Sequence, residues 1–240
     1  MSASLSGSLV DQAVRSIRNH IRERDLKVGD KLPAEGKFAS DLGVSRAVMR
    51  EAFGALAALR LIDVGNGRKA RVGAIDGSVM AASIDHAVAT AQITTTEVWD
   101  VRRTLELRTA ALAAEHRSDD DAREIGHHAE QMALAVNDLD RLIGHDIAFH
   151  QAIARAGGNA LFHQIVRSFE QLMRVAVPTA WQTRETPAQR DIVFAVHRDL
   201  ASAIADRAPA AAVALMEAHF DKSISDVFAS RPARAVNDPD

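Results

Sequence analysis

The stretch Asp41-Leu42-Gly43-Val44-Ser45-Arg46-Ala47-Val48-Met49-Arg50-Glu51-Ala52 constrains this chain more than any other. Gly43 can take the positive φ that stops one short helix, and Ser45 is a good N-cap for the next, whose first turns carry Arg46 and Arg50 four residues apart. Then comes Ile62-Asp63-Val64-Gly65-Asn66-Gly67-Arg68-Lys69-Ala70-Arg71-Val72. Two short β-prone runs flank glycines that permit a tight reversal, with Arg68, Lys69 and Arg71 on the returning arm. Together these stretches predict a helix-turn-helix with a basic recognition helix and a small β-wing, a shape that holds double-stranded DNA. Two arginines alone would read as a solvated helix face; the turn, cap and wing make the difference.

Charge is consistent with that reading only when the chain is divided. The net charge is −3, but residues 1–75 hold 13 Lys and Arg against 8 Asp and Glu, +5, leaving 16 against 24, −8, for the remainder. The basic part is confined to the N-terminal third. Nine of the ten histidines lie in the acidic remainder, His20 being the exception, which predicts a separate chemistry there. With 47% hydrophobic residues over 240, the chain can bury a sizeable core and is expected to form two domains. There is no cysteine, so disulfide and thiolate chemistry are excluded. Neither a secretory signal nor an apolar run of membrane-spanning length is visible, so a cytoplasmic protein without membrane contact is expected.

In chain order, Leu9, Val10, Ala13, Ile17 and Ile21 recur at helical spacing from about Ser8 to Glu23. Short helices are predicted from Glu35 to Leu42 and from Ser45 to Ala58, the latter burying Val48, Ala52, Ala55, Leu56 and Leu59. This passage resembles the DNA-binding domain of the GntR family of bacterial transcription regulators. The resemblance rests on Gly29-x-x-Leu32-Pro33-x-Glu35, on Leu42-Gly43-Val44-Ser45-Arg46-x-x-x-Arg50-Glu51-Ala52 and on the glycine-tipped wing. It implies that Glu35, Ser45, Arg46 and Arg50 belong to the DNA-facing surface. Ser45, Arg46 and Arg50 would meet phosphates and the major groove, and Gly67 would let the wing approach the minor groove. A guanidinium fork matches guanine O6 and N7, a role open to Arg46 or Arg50. The family usually has an arginine after the motif's glutamate; here that position is Gly36, so a contact is lost or supplied by Lys37.

Gly73-Ala74-Ile75-Asp76-Gly77-Ser78 reads as a linker, giving expected domains at 1–75 and 76–230, with 231–240 a flexible tail. Beyond it the pattern predicts about seven helices and no strand. They run from Val79 to Ala91, from the capping box Thr94-x-x-Glu97 to His116, from Ser118-x-x-Asp121 to Val136, from Asp138 to Gly157-Gly158, from Ala160 to a stop at Pro178, from Thr186-Pro187 to Asp206, and from Pro209 to Ala229. The expected fold is mainly α: a winged helix-turn-helix followed by an all-α antiparallel bundle.

Four residues in that bundle carry the strongest chemical signal. Asp146 and His150 lie four apart and share one apolar helix face with Leu142, Ile143, Phe149 and Ile153. A carboxylate buried there requires a cation or several donors. His197 and His219 sit among apolar residues of two later helices. One carboxylate and three imidazoles turned inward would suit Zn²⁺, Ni²⁺ or Mn²⁺ and leave a coordination position open. Each histidine taken singly reads first as a hydrogen-bonded core residue.

Residues 98–220 also resemble the FCD ligand-binding domain of the FadR subfamily. The matching pieces are Val101-Arg102-Arg103-x-Leu105-Glu106, Asp146-x-x-Phe149-His150-x-x-Ile153-Ala154-x-Ala156-x-Gly158-Asn159, His197-x-x-Leu200-x-x-Ala203-Ile204 and Met216-x-x-His219. The resemblance implies that Asp146, His150, His197 and His219 hold a divalent metal, zinc first. It also implies that the domain senses a small carboxylate such as a hydroxy acid or sugar acid. Arg102 would then pair with the effector's carboxylate, or else with Glu106 four residues on. Trp181, expected in a loop after Pro178, would stack on a sugar acid or pack over the bundle end. His116, His127, His128, His145 and His163 have no matching role. The expectation is a homodimeric regulator, a repressor of a carbohydrate- or organic-acid operon, binding operator DNA under control of the effector. The alternative, a metal-dependent enzyme fused to a DNA-binding module, needs a general base near the metal, and no helix-borne His-Glu-x-x-His is present.

Overall fold

The structure is a computed structural model that describes residues 7–65 and 68–229, with side chains to residue 222. Gly67 at the expected wing tip and the 231–240 tail lie outside the described residues. The chain divides into two compact units, Met1–Val79 and Met80–Asp240.

In the first unit, α1 (Leu9–Glu23) opens with a capping box in which Ser8 and Asp11 satisfy each other's backbone N–H groups. α2 (Glu35–Leu42) stops at Gly43, whose φ of 70° lies in the left-handed region. α3 (Arg46–Ala58) is capped by Ser45, whose hydroxyl accepts from the Val48 N–H at 3.2 Å. Both local expectations about the turn therefore hold. The buried face of α3 is rotated from the expected one. Ala52 and Leu56 are buried, but Ala55 is exposed and Leu59 is 52% exposed, while Met49 and Phe53 enter the core. Positions 49, 52, 53 and 56 form one stripe, and it faces α1 and α2 because Phe53 stacks edge-on to Phe38 at 5.9 Å.

The wing is a two-stranded antiparallel sheet of β1 (Ile62–Asp63) and β2 (Arg71–Val72), with Ile62 opposite Val72. The segment before α2 lines the other side of β2 through Gly29 N–H to Val72 O (2.9 Å) and Leu32 N–H to Ala70 O (2.8 Å). Gly73 then passes so close to the end of α3 that a Cβ there would lie 2.4 Å from the Arg60 carbonyl oxygen. Only glycine fits this approach.

α4 (Ser78–Ala89) carries the chain across the division and buries no residue. The second unit continues with α5 (Thr95–His116), α6 (Asp119–Leu134), α7 (Leu139–Ala156), α8 (Ala160–Ser168), α9 (Glu170–Gln182), α10 (Pro187–Ala205) and α11 (Pro209–Ala229). The expected caps at Thr94, Ser118, Asp138 and Thr186 are all present. α7 runs through the core, where Phe149 and Ile153 pack with Leu200, Ile204, Met216 and Phe220.

One expected helix is two. The run from Ala160 breaks at Phe169, and α9 continues through Pro178 to Gln182 instead of stopping there. An interior proline costs a helix about 3 kcal/mol. α9 survives because Met173, Val177, Ala180 and Trp181 are buried on both sides of it. No described helix is long and apolar enough to cross a membrane.

Candidate functional site

Asp146 and His150 lie one turn apart on the buried face of α7 and point at the same cavity as His197 of α10 and His219 of α11. Ligand nitrogens of the three imidazoles lie within 4.8 Å of one another, a group with the geometry to hold a metal ion. Asp146 Oδ1 is 3.3 Å from His197 Nε2. That is the separation of two ligand atoms on a single ion with bonds of about 2.0–2.1 Å.

The outer nitrogens fix which atoms face inward. His197 Nδ1 donates to the Val193 carbonyl at 2.8 Å, leaving Nε2 toward the cavity. His150 Nδ1 lies 2.5 Å from Glu106 Oε2, and its Nε2 is buried with no hydrogen-bond partner among the described residues. Such outer partners set imidazole orientation at metal centres. Burial works to raise the Asp146 carboxyl, but the His197 contact and the charges of the three imidazoles outweigh it and hold the group well below the usual carboxylate range. Burial, helped by His197 and His150, holds His219 well below the ordinary histidine range against the opposing pull of Asp146. Both directions favour the forms a cation binds, an anionic carboxylate and a neutral imidazole.

Glu106 is the residue that sequence reasoning placed only as an alternative partner for Arg102. It joins both neighbours: Oε1 accepts from Arg102 Nε at 2.8 Å and Nη2 at 2.7 Å, while Oε2 meets His150. Burial pushes its carboxyl up, yet Arg102 and His150 together hold it below the usual range. Arg102 is only 2% exposed, lines the cavity, and stacks between Trp99 (4.8 Å) and Phe220 (5.3 Å). Its i+4 spacing to Glu106 was the available signal.

The cavity is small, about 40 Å³, and is walled on one side by Trp99, Met173, Ala176, Val177 and Ala180. Trp99 and Ala176 are shared with a neighbouring apolar groove of about 320 Å³ that also includes Val88 and Ala89 of α4. Trp181 is not in a loop. It lies in the last turn of α9, buried against Phe194 at 5.6 Å and flanked by Arg184 and Arg190, and it does not line the cavity. The side chain that does present an indole there is Trp99.

On the first unit, Ser45, Arg46 and Arg50 are exposed and Glu35 is half-buried. A Cβ at Gly36 would lie 3.9 Å from the Arg46 guanidinium. The missing arginine thus leaves open space beside Arg46. Lys37 is bonded to both Asp41 oxygens at 3.0 Å, and Arg71 donates to the Gly29 carbonyl at 2.6 Å. Arg68 and Lys69 stay exposed.

Residues 9–72 match the bacterial regulatory proteins of the gntR family, and residues 97–222 match the FCD domain. The chain is 28% identical to the HTH-type transcriptional regulator LutR of Bacillus subtilis strain 168, over 87% of this chain and 95% of that one. It is 29% identical to the Glc operon transcriptional activator of Escherichia coli K12, over 84% and 82%. It is 25% identical to the HTH-type transcriptional repressor NanR of Citrobacter rodentium, over 89% and 83%. A solved Streptococcus agalactiae GntR structure superposes with a TM-score of 0.66 at 25% identity, covering 90% of this chain and 99% of its own.

Proposed function

The chain belongs to the GntR family of DNA-binding transcription regulators with an FCD domain, not to an enzyme family, and on that basis we propose how its two units work together. It is a cytoplasmic homodimer that represses an operon for organic-acid or sugar-acid use. Two winged helices read the half-sites of a pseudo-palindromic operator, since two-fold protein symmetry is matched by symmetric DNA. Ser45, Arg46 and Arg50 make the contacts, with Glu35 shaping the surface and Gly67 at the wing.

In the second unit Asp146, His150, His197 and His219 hold a divalent cation, zinc in the first place, nickel or manganese as alternatives. The observation that carries this reading is the buried, unbonded His150 Nε2 facing two further imidazoles and a carboxylate. The ion offers open positions to the carboxylate and hydroxyl of a small acid, and Arg102 lies in the same wall to meet the carboxylate. A water fills about 10–15 Å³ of cavity and an organic ligand about 300 Å³ or more. The present 40 Å³ therefore accepts an ion with water, and an effector must push the wall outward. That wall is Trp99 and Ala176, whose far side faces α4, the helix that continues from the first unit. A coupling of about 1–3 kcal/mol between the two states suffices for regulation.

The test is thermal stabilisation by a panel of hydroxy acids, sugar acids and dicarboxylates, with and without prior chelation, because ligand binding to the native state raises its stability. One acid should give a chelator-sensitive shift. His219→Ala should lose that shift and the effector's action on DNA while still binding operator. Shifts that survive chelation, or an unaltered response in His219→Ala, would remove the metal from the mechanism. The relative named as an activator supports a second reading of direction, in which the effector tightens rather than releases operator binding.

A further inference from the structure

Three histidines outside the cavity converge on the seam between α6 and α7. His127 and His128 come from α6 and His145 from α7. His128 Nδ1 lies 3.1 Å from His145 Nδ1, and the His127 ring centroid is 5.4 Å from that of His128 and 6.1 Å from that of His145. We propose that His128 and His145, completed by His127, form a second cation site on this outer seam, suited to a borderline transition metal such as nickel, copper or zinc.

The geometry carries the argument. Two imidazole nitrogens at 3.1 Å cannot both bear protons toward each other, so at least one lone pair faces the partner ring. Ligand atoms sharing an ion at about 2.0–2.1 Å stand about 2.9 Å apart at a right angle and about 3.4 Å apart in a tetrahedron. The observed separation falls between these. His127 is exposed; its nitrogens do not converge with the other two as placed, so the site requires its ring to move to another side-chain well, with water taking the remaining positions. Two cations lie near the rings: Arg155 is tied to both oxygens of Glu124 at 2.9 and 2.5 Å, and Arg141 stands beside His145.

The site is distinct from the inner one. Successive residues on a helix point about 100° apart, so His145 faces α6 while Asp146 faces the cavity, whose lining includes none of the three outer histidines. An ion here joins α6 to α7 and so restrains the helix carrying Asp146 and His150. Imidazole ligands select this metal class over magnesium or calcium.

Nickel titration of the chelator-stripped full-length protein, followed by calorimetry, tests this. Wild type should bind two ions per chain, and His127→Asn/His128→Asn one. His145→Asn, approaching the same site from α7, should lose the same ion, with thermal melts recorded for all variants. His219→Ala should lose the other ion. Unchanged stoichiometry in both outer variants, or a single wild-type ion lost in His219→Ala, would overturn the proposal. A single wild-type ion lost only in the outer variants would support this site and remove the inner one.

Discussion

At the scale of single residues, Glu106 has the largest effect for the least sequence signal. Its two oxygens tie Arg102 to His150, so neutralising it leaves a guanidinium buried without a counter-charge. Glu106→Gln should lower stability in urea by about 3–5 kcal/mol. It should weaken metal binding about 10–100-fold by releasing His150. Adding Arg102→Met should restore much of the stability but not the affinity; equal recovery of both would mean that Glu106 acts only through Arg102. Arg155 offers a test in pH. Asp121 is held below its ordinary 3.8, first by the Ser118 hydroxyl and further by Arg155, and Glu124 below its ordinary 4.5, chiefly by its hydrogen bond from Arg155. Carboxyls lowered in the folded state stabilise it above those ordinary values, and the gain disappears as pH falls through the lower folded ones. Arg155→Met should therefore cost about 0.5–1 kcal/mol at neutral pH, a modest sum because the pair is solvent-screened. Urea midpoints of variant and wild type should draw together as pH falls below 4.5 and converge only well below 3.8. A gap that persists in acid would assign the loss to packing.

At the scale of elements, boundaries follow local chemistry where a cap or a glycine sets them. Ser118→Ala removes the cap of α6 and should cost about 1 kcal/mol in urea unfolding. Gly73→Ala places a methyl carbon on the Arg60 carbonyl, a backbone atom that cannot rotate away. The expected loss is about 1–3 kcal/mol, confined to the first unit, with DNA binding weakened as the wing detaches from the end of α3. Amide exchange would locate it: faster exchange at Val72 and Gly73 with α7 unchanged. The break at Phe169 and the passage of α9 through Pro178 follow no such local rule. Apolar burial on both sides of the proline decides them.

At the scale of the whole molecule, the charge division assigns the two tasks. The +5 of residues 1–75 is available for phosphates, and the −8 of the remainder disfavours DNA at the second unit. Operator affinity should fall steeply with salt, with a slope in log–log form of about −0.9 per phosphate neutralised. Arg46→Gln should reduce that slope by about 1 per half-site, read by fluorescence anisotropy with DNA from upstream of the gene. An unchanged slope with altered preference at one base would assign Arg46 to a base edge instead.

The sequence by itself determined the turn at Gly43, the caps at Ser45, Thr94, Ser118 and Thr186, and the common face of Asp146 and His150. Each depends on residues within one or two turns of one another, where spacing and side-chain chemistry suffice. The tertiary structure alone decided the rest. Met49 and Phe53, not Ala55 and Leu59, fill the first core because the partner helices select the face. Trp99 rather than Trp181 lines the cavity because α9 does not end at its proline. His127 and His128 meet His145 across a seam between two helices, and Glu106 serves two partners at once because α5 lies beside α7. Contacts between residues distant in sequence depend on how helices pack, and no local pattern encodes that.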